Sequence, residues 1–192
     1  TPDDVRRAAP LLAASAIVLA PCETMIETIT EAFRIARAAG CVCVLNPAPA
    51  RELPVELLSA LDVIVPNESE LRILTGRTTE TLEDVTAAAE VLRERGPRTV
   101  IVTLGPRGAI VVGPDGRQHV AGLPVAAVDT SGAGDAFCGA LVILLAATSP
   151  AGIERSKGLV EEAWKAWGEN NQAQVEAKFS AALKEDPANV RA

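Results

Sequence analysis

The chain has 192 residues, 25 of them acidic and 18 basic, so its net charge at pH 7 is −7 and its isoelectric point lies near 4.8. This charge argues against sequence-independent binding to nucleic acid or to an anionic membrane, because both need a basic surface. Aromatic residues make up only 3% and tyrosine is absent, which argues against a platform for stacking bases. The length and the 48% hydrophobic content are typical of a soluble globular chain with one domain and a short appendage.

Helical and strand-like hydrophobic patterns alternate along most of the chain. Thr1 and Pro2 form a typical helix start, and glycines close several of the later helices. Helices are predicted over residues 2–12, 25–39, 54–60, 68–74, 81–95 and 133–147. Strands are predicted over residues 16–20, 41–45, 62–65, 99–103 and 125–128. This alternation predicts an α/β fold with a mostly parallel sheet, covered by helices on both faces in three layers.

A hairpin interrupts that alternation after the strand at 99–103. Two further strand-like runs, 109–112 and 118–121, flank the sequence Gly113-Pro114-Asp115-Gly116. Glycine, proline and aspartate in this order are typical of a tight turn. We therefore expect an antiparallel pair of strands in this part of the sheet.

The four cysteines show no C-x-x-C spacing, and His119 is the single histidine in the sequence. A zinc site is therefore disfavoured. Cys41 and Cys43 are two residues apart in a predicted strand, so both lie on the same face of it and are expected to be buried thiols. Reduced thiols and the lack of a secretory signal predict a cytoplasmic protein. The longest apolar run, 140–147, is too short to cross a membrane.

The segment Asp129-Thr-Ser-Gly-Ala-Gly-Asp135 lies between a predicted strand and an apolar helix. The amides of Gly132, Ala133 and Gly134 at a helix N-terminus would converge on an anion, and Asp135 could accept a proton from an attacking hydroxyl. A simple capped helix start gives the same pattern. A dinucleotide fingerprint fits less well, because Phe137 occupies the place of its third glycine, and no Walker-type phosphate loop occurs.

Three more segments follow predicted strands. They are N-P-A-P-A at 46–50, P-N-E-S-E at 66–70 and T-L-G-P-R-G at 103–108. Because ligands of parallel sheets bind at the carboxyl ends of the strands, we expect all four segments to meet at one edge of the sheet.

Together these segments resemble the ribokinase family of carbohydrate kinases, also called the phosphofructokinase-B family. D-T-S-G-A-G-D-A-F at 129–137 is close to the C-terminal motif of that family, and the other three segments occur in family order. The resemblance covers residues 1–147 and implies ATP-dependent phosphorylation of a sugar hydroxyl, with ribose as the expected sugar. ATP, Mg²⁺ and K⁺ are the implied cofactors, and a small sugar is the implied substrate.

The resemblance also implies a role for each matching residue. Asp135 would be the base, with an anion hole at Gly132, Ala133 and Gly134. ATP would be bound by Asn67, Thr103, Gly105 and Gly108, and the sugar by Glu23 and Asp135. Magnesium would be bound through water by Glu70, and a monovalent cation by Asp129 and Ser131.

The chain departs from the family pattern at both ends. The first strands, lid and glycine-rich sugar loop of the family do not precede Thr1, and the usual continuation is missing beyond Ala147. We therefore expect an incomplete kinase domain over 1–149, with exposed sheet edges that favour self-association or a protein partner. Residues 150–192 predict a helical hairpin similar to a tetratricopeptide repeat, although an isolated amphipathic hairpin gives the same pattern. A non-catalytic nucleotide-binding or protein-interaction module, or a truncated product without function, stays open as an alternative.

Overall fold

Six strands form one mixed sheet whose spatial order, β1 to β6, is also their order in the chain. The structure is a computed structural model that describes residues 1–124, 130 and 132–146, and the chain divides into two units between Gly122 and Leu123. The strands are β1 (Ile17–Pro21), β2 (Val42–Asn46), β3 (Val63–Ile64), β4 (Thr99–Thr103), β5 (Ala109–Gly113) and β6 (Gly116–Val120). The helices of the first unit are α1 (Pro2–Arg7), α2 (Ala9–Ala13), α3 (Ile26–Ala38), α4 (Val55–Ser59), α5 (Glu68–Thr75) and α6 (Leu82–Glu94).

Strands β1 to β4 are parallel, and β4, β5 and β6 pair in antiparallel fashion. The predicted α/β architecture is therefore confirmed, with the predicted hairpin forming β5 and β6. All five residues of β6 are exposed, which fits its polar sequence at the outer edge of the sheet. The strand expected over 125–128 and the helical tail expected over 150–192 lie outside the described residues.

Local sequence explains most of the helix ends. Thr1 and Thr81 each cap a helix, and each accepts a hydrogen bond from the aspartate amide three residues later, in the reciprocal arrangement of a capping box. Gly76 ends α5 in the left-handed conformation, with φ of 69°. The single helix expected over 2–12 is wrong: it breaks at Ala8, because Pro10 has no amide hydrogen to donate to the preceding turn.

The core of the first unit lies between these helices and the sheet. Phe33 of α3, Leu71 of α5 and Val85 of α6 are fully buried, as are Leu45 of β2 and Val100 of β4. Close packing of this kind fixes the strands relative to one another, so the loops that leave their carboxyl ends start from fixed positions.

In the second unit, the described helix α7 runs over Ala133–Ala146, close to the predicted end at 147. Its sequence is apolar except for Asp135 in the first turn. Among the residues that the structure describes, no helix is long and apolar enough to span a bilayer.

Candidate functional site

The loops that follow β1 to β4 lie side by side at the carboxyl edge of the parallel strands. After β3 and β4, Asn67 pairs with Thr103 in an isolated parallel bridge, and the Thr103 amide donates to the Pro66 carbonyl at 3.0 Å. After β1 and β2, the Cys22 amide donates to the Asn46 carbonyl at 3.1 Å. The first three of the four predicted segments therefore share one edge of the sheet.

Asn67 and Glu70 together form the N-terminal cap of α5. The Asn67 side chain accepts from the Glu70 amide at 2.9 Å, and a Glu70 carboxylate oxygen accepts from the Asn67 amide at 2.8 Å. Ser69 adds a hydroxyl that donates to the same Asn67 oxygen at 2.7 Å. These bonds fix the orientation of both predicted functional side chains. The helix cap by itself explains why the two residues are three positions apart in the sequence.

The turn after β4 holds the predicted nucleotide-binding glycines. Gly105 has φ of 56° with open space around the position of a Cβ, whereas Gly108 has φ of 94°. A Cβ on Gly108 would lie 2.0 Å from the Val120 carbonyl oxygen, so this glycine is needed for the close approach of the turn to the end of β6. Arg107, in the same turn, forms an ion pair with Glu68 of α5. The turn and the start of α5 are therefore tied together beside the Asn67–Thr103 bridge.

Glu23, the predicted sugar-binding acid, lies exposed in the turn that follows β1. Its neighbour Cys22 is buried, and the Cys22 and Thr24 carbonyls both accept hydrogen bonds from the guanidinium of Arg51. Arg51 is not among the site residues that the sequence predicts. The available signal is its position, immediately after the N-P-A-P-A segment that is expected at this edge of the sheet.

The pKa of the Cys22 thiol depends on charged residues that follow two other strands. Burial raises the pKa of the Cys22 thiol above its ordinary value, the Arg51 guanidinium lowers it, and the Glu70 carboxylate raises it. Cys22 follows β1, Arg51 follows β2 and Glu70 lies in the first turn of α5 after β3, so the charges of Arg51 and Glu70 both act on the thiol of Cys22. A thiol with a raised pKa is a poor nucleophile at neutral pH, which favours a packing role for Cys22.

The fourth predicted segment belongs to the second unit. Gly132 has φ of 72° and its carbonyl accepts from the Ala136 amide at 2.9 Å, while the Ala133 amide donates to the Thr130 carbonyl at 3.1 Å. Gly134 and Asp135 follow in the first turn of α7, and both are exposed. The predicted helix start is therefore present, with one of the three proposed anion-binding amides bonded to the preceding loop.

Asp129 and Ser131, the predicted ligands of a monovalent cation, lie outside the described residues. Within the described parts of the chain, no group of three histidine, cysteine or carboxylate residues could hold a metal ion. All four cysteines are buried. The groups described at this edge are backbone amides, hydroxyls, single carboxylates such as Glu70 and the guanidinium of Arg51.

In open α/β sheets, phosphates and nucleotides bind where small-residue loops leave the carboxyl ends of the parallel strands, and this chain has that arrangement. Residues 3–160 match the pfkB family of carbohydrate kinases, and the chain belongs to that family.

Named relatives agree with this family. The chain is similar to a ribokinase from Staphylococcus aureus, 42% identical over 142 residues that cover 74% of this chain and 47% of the relative. It is similar to a deoxyribokinase from Salmonella typhi, 42% identical over 72% of this chain and 46% of that protein. Among solved structures, the ribokinase of Arabidopsis thaliana complexed with ribose and ATP matches with a TM-score of 0.72 and 27% identity, over 85% of this chain and 52% of that one. The chain spans about half the length of the curated relatives that it matches.

Proposed function

We propose that this chain carries the nucleotide-binding and catalytic segments of a kinase that transfers the γ-phosphoryl group of ATP to a hydroxyl of ribose, giving ribose 5-phosphate and ADP. The observation that supports this most is the Asn67–Thr103 bridge, which sets two of the predicted ATP-binding segments side by side at the carboxyl edge of the sheet. Membership of a carbohydrate kinase family supports the reaction class. A deoxyribokinase at the same identity as the ribokinase makes 2-deoxyribose the competing sugar.

In this proposal Asp135 is the general base. Its carboxylate takes the proton of the sugar hydroxyl while the hydroxyl oxygen forms a bond to the γ-phosphorus, and the bond from that phosphorus to the bridging oxygen of ADP breaks. The amides of Gly132, Ala133 and Gly134 stabilise the charge on the transferring oxygens. The Ala133 amide would exchange the Thr130 carbonyl for a phosphate oxygen on binding.

The nucleotide and its metal would lie at the edge formed by the first three loops. Thr103 is next to the Asn67 cap, and the open space around Gly105, two residues further along the chain, fits close approach of a ligand to the backbone. Glu70 offers a half-buried carboxylate that is oriented by the Asn67 amide, a suitable outer-sphere partner for hydrated Mg²⁺. Bound Mg²⁺ would neutralise charge on the phosphates.

Two further parts of the proposal depend on the family resemblance alone. K⁺ would bind at Asp129 and Ser131, and Glu23 would bind the sugar. Gly108 would line the ATP site, although its approach to Val120 already explains the glycine.

The direct test is ADP production from ATP with Mg²⁺ and K⁺, measured without sugar, with D-ribose and with 2-deoxy-D-ribose. Asp135→Asn should lower kcat at least about 100-fold, because a general base contributes roughly 10² to 10⁴. It should keep the ATP-dependent rise in Tm. Asp115→Asn is the matched control, since Asp115 is an exposed acid in the turn between β5 and β6.

Full turnover in Asp135→Asn would refute the base assignment. ADP release that does not depend on sugar would refute transfer of the phosphoryl group to a sugar. A preference for 2-deoxyribose would refute ribose as the substrate and would show the specificity that the name of the deoxyribokinase relative indicates. Absence of sugar-dependent turnover in the unmodified chain would refute kinase activity for this chain.

The organisation of the chain is also a proposal. Residues 1–149 would form the kinase portion, and 150–192 a helical tail that joins two copies or captures a partner in the cytoplasm. Deleting residues 150–192 and measuring mass by light scattering tests this tail. An unchanged oligomeric state after the deletion would contradict self-association through it.

A further inference from the structure

Arg51 connects two of the loops at the carboxyl edge of the sheet. It follows the N-P-A-P-A segment after β2, and its Nη2 nitrogen donates hydrogen bonds to the backbone carbonyls of Cys22 and Thr24 after β1. These two residues stand on either side of Glu23. One guanidinium nitrogen therefore holds the backbone before and after the predicted sugar-binding acid.

The same turn is fixed at a second point by the backbone. The Cys22 amide donates to the carbonyl of Asn46, the last residue of β2, at 3.1 Å, and the Cys22 side chain is only 1% exposed. Glu23 and Thr24, by contrast, are exposed. The turn is thus anchored through Cys22 and Arg51, while the Glu23 carboxylate projects from a surface position.

Arg51 is half-buried, and part of its side chain lies inside this edge. Its Nε atom is buried and has no hydrogen-bond partner among the described residues. Leaving a buried donor unpaired is unfavourable, and the two carbonyl bonds at Nη2 offset part of this cost. Arginine suits this task because its planar guanidinium presents several donors in a fixed arrangement.

We infer that Arg51 is a positioning residue that sets the place of Glu23 for binding of the sugar. The inference rests on the proposed function, in which Glu23 binds the sugar. Arg51 itself bonds to two carbonyls and has no need to contact the substrate. Misplacing a binding group by about 1 Å can cost as much as 100-fold, so the effect of losing this clamp should be large enough to measure.

The first experiment tests the clamp without any activity. In Arg51→Met, which keeps the apolar part of the side chain, hydrogen exchange of the Cys22 amide should accelerate at least about tenfold. Arg95→Met is the matched control, because Arg95 also donates to a backbone carbonyl, that of Leu74, at 2.6 Å. In that variant the exchange rate of Cys22 should stay within about twofold of the unmodified protein. Unchanged exchange in Arg51→Met would overturn the inference, whether or not the chain is a kinase.

A second variant separates geometry from charge. Arg51→Lys keeps the positive charge, but its single terminal nitrogen ends short of the Nη2 position, so we expect the same loss of Cys22 protection. Restored protection in Arg51→Lys would show that the charge acts rather than the two carbonyl bonds, and would overturn the inference.

The third experiment tests the link to Glu23 through sugar kinetics. Arg51→Met should raise the KM for the sugar at least about tenfold, with the KM for ATP within about twofold, and Glu23→Gln should raise the sugar KM as well. In the double variant the two effects should not multiply, because Arg51 acts through Glu23. Multiplying effects would overturn the inference. A Glu23→Gln variant without effect would instead refute the sugar-binding role of Glu23 in the proposed function.

Discussion

Asn67 is proposed to act near the phosphates of ATP, yet its side chain also caps α5. A substitution that removes both roles cannot show which of them was lost. Two variants separate them. Asn67→Ala removes the oxygen that accepts from the Glu70 amide at 2.9 Å, whereas Asn67→Asp keeps an acceptor at the same place and adds a negative charge.

The expected size of the effect on folding follows from the cap. Replacing an asparagine cap by alanine costs about 1 kcal/mol, within a range of about 0.5 to 2. With a denaturant slope of about 2 kcal/mol per molar urea, the unfolding midpoint of Asn67→Ala should fall by about 0.5 M. Asn67→Asp should unfold near the midpoint of the unmodified chain, because the favourable helix dipole offsets repulsion from Glu68 and Glu70.

The assay compares urea unfolding with and without saturating ATP and Mg²⁺. ATP at 100 times its dissociation constant stabilises the folded chain by about 2.7 kcal/mol. We expect Asn67→Asp to lose most of this increment while keeping its stability without ATP, because a carboxylate beside the phosphates repels them. A full ATP increment in Asn67→Asp would refute the placement of Asn67 near the phosphates. An unchanged midpoint in Asn67→Ala would refute the contribution of the cap.

Three further predictions concern stability and reactivity. Hydrogen bonds from Arg34 lower the pKa of Glu31 to about 2, below its value of 4.5 in the unfolded chain. The ionised Glu31 carboxylate therefore stabilises the fold fully above about pH 5, and this stabilisation is lost as the pH falls toward 2. Glu31→Gln should flatten the pH dependence of the unfolding free energy in that window. Gly105→Ala should lower the free energy of unfolding by about 1 to 2 kcal/mol, from left-handed strain alone. Gly108→Ala should lower it more, because its Cβ would lie 2.0 Å from a carbonyl oxygen. Urea unfolding of both variants checks this order. Burial raises the pKa of Cys43 to about 11, so a thiol reagent at pH 8 should label this residue in the native protein only as fast as the chain opens.

The parts of the fold that follow local rules could be predicted from the sequence. The cap at Thr81, the left-handed glycine at Gly76 and the strand Thr99–Thr103 each depend on residues within a few positions of one another. The break at Ala8 depends on the same kind of rule, since Pro10 cannot donate in a helix interior. The apolar periodicity on either side of the break nevertheless predicts a single helix.

In the candidate site, too, contacts between residues close in sequence could be predicted, whereas contacts between distant residues could not. The spacing of Asn67 and Glu70 is the recognised signature of a capping box, so their mutual hydrogen bonds could have been predicted as well as their place at the edge of the sheet. The bonds from Arg51 to Cys22 and Thr24 could not, because they join residues 29 and 27 positions apart. Nothing in the sequence near an arginine specifies which distant carbonyl it reaches.

Asn67 and Arg51 lead to one conclusion about how the edge of the sheet is organised. In both cases a side chain or turn proposed to bind substrate is already held by hydrogen bonds that exist without substrate: the cap bonds of α5 and the two carbonyl bonds of Arg51. Groups held in this way need little rearrangement when charge develops on a transferring phosphoryl group. The same bonds also stabilise the fold, so loss of activity in any variant at this edge has a structural component. Pairs that keep the bond and change the charge, such as Asn67→Asp against Asn67→Ala, are therefore needed to assign chemistry to a residue here.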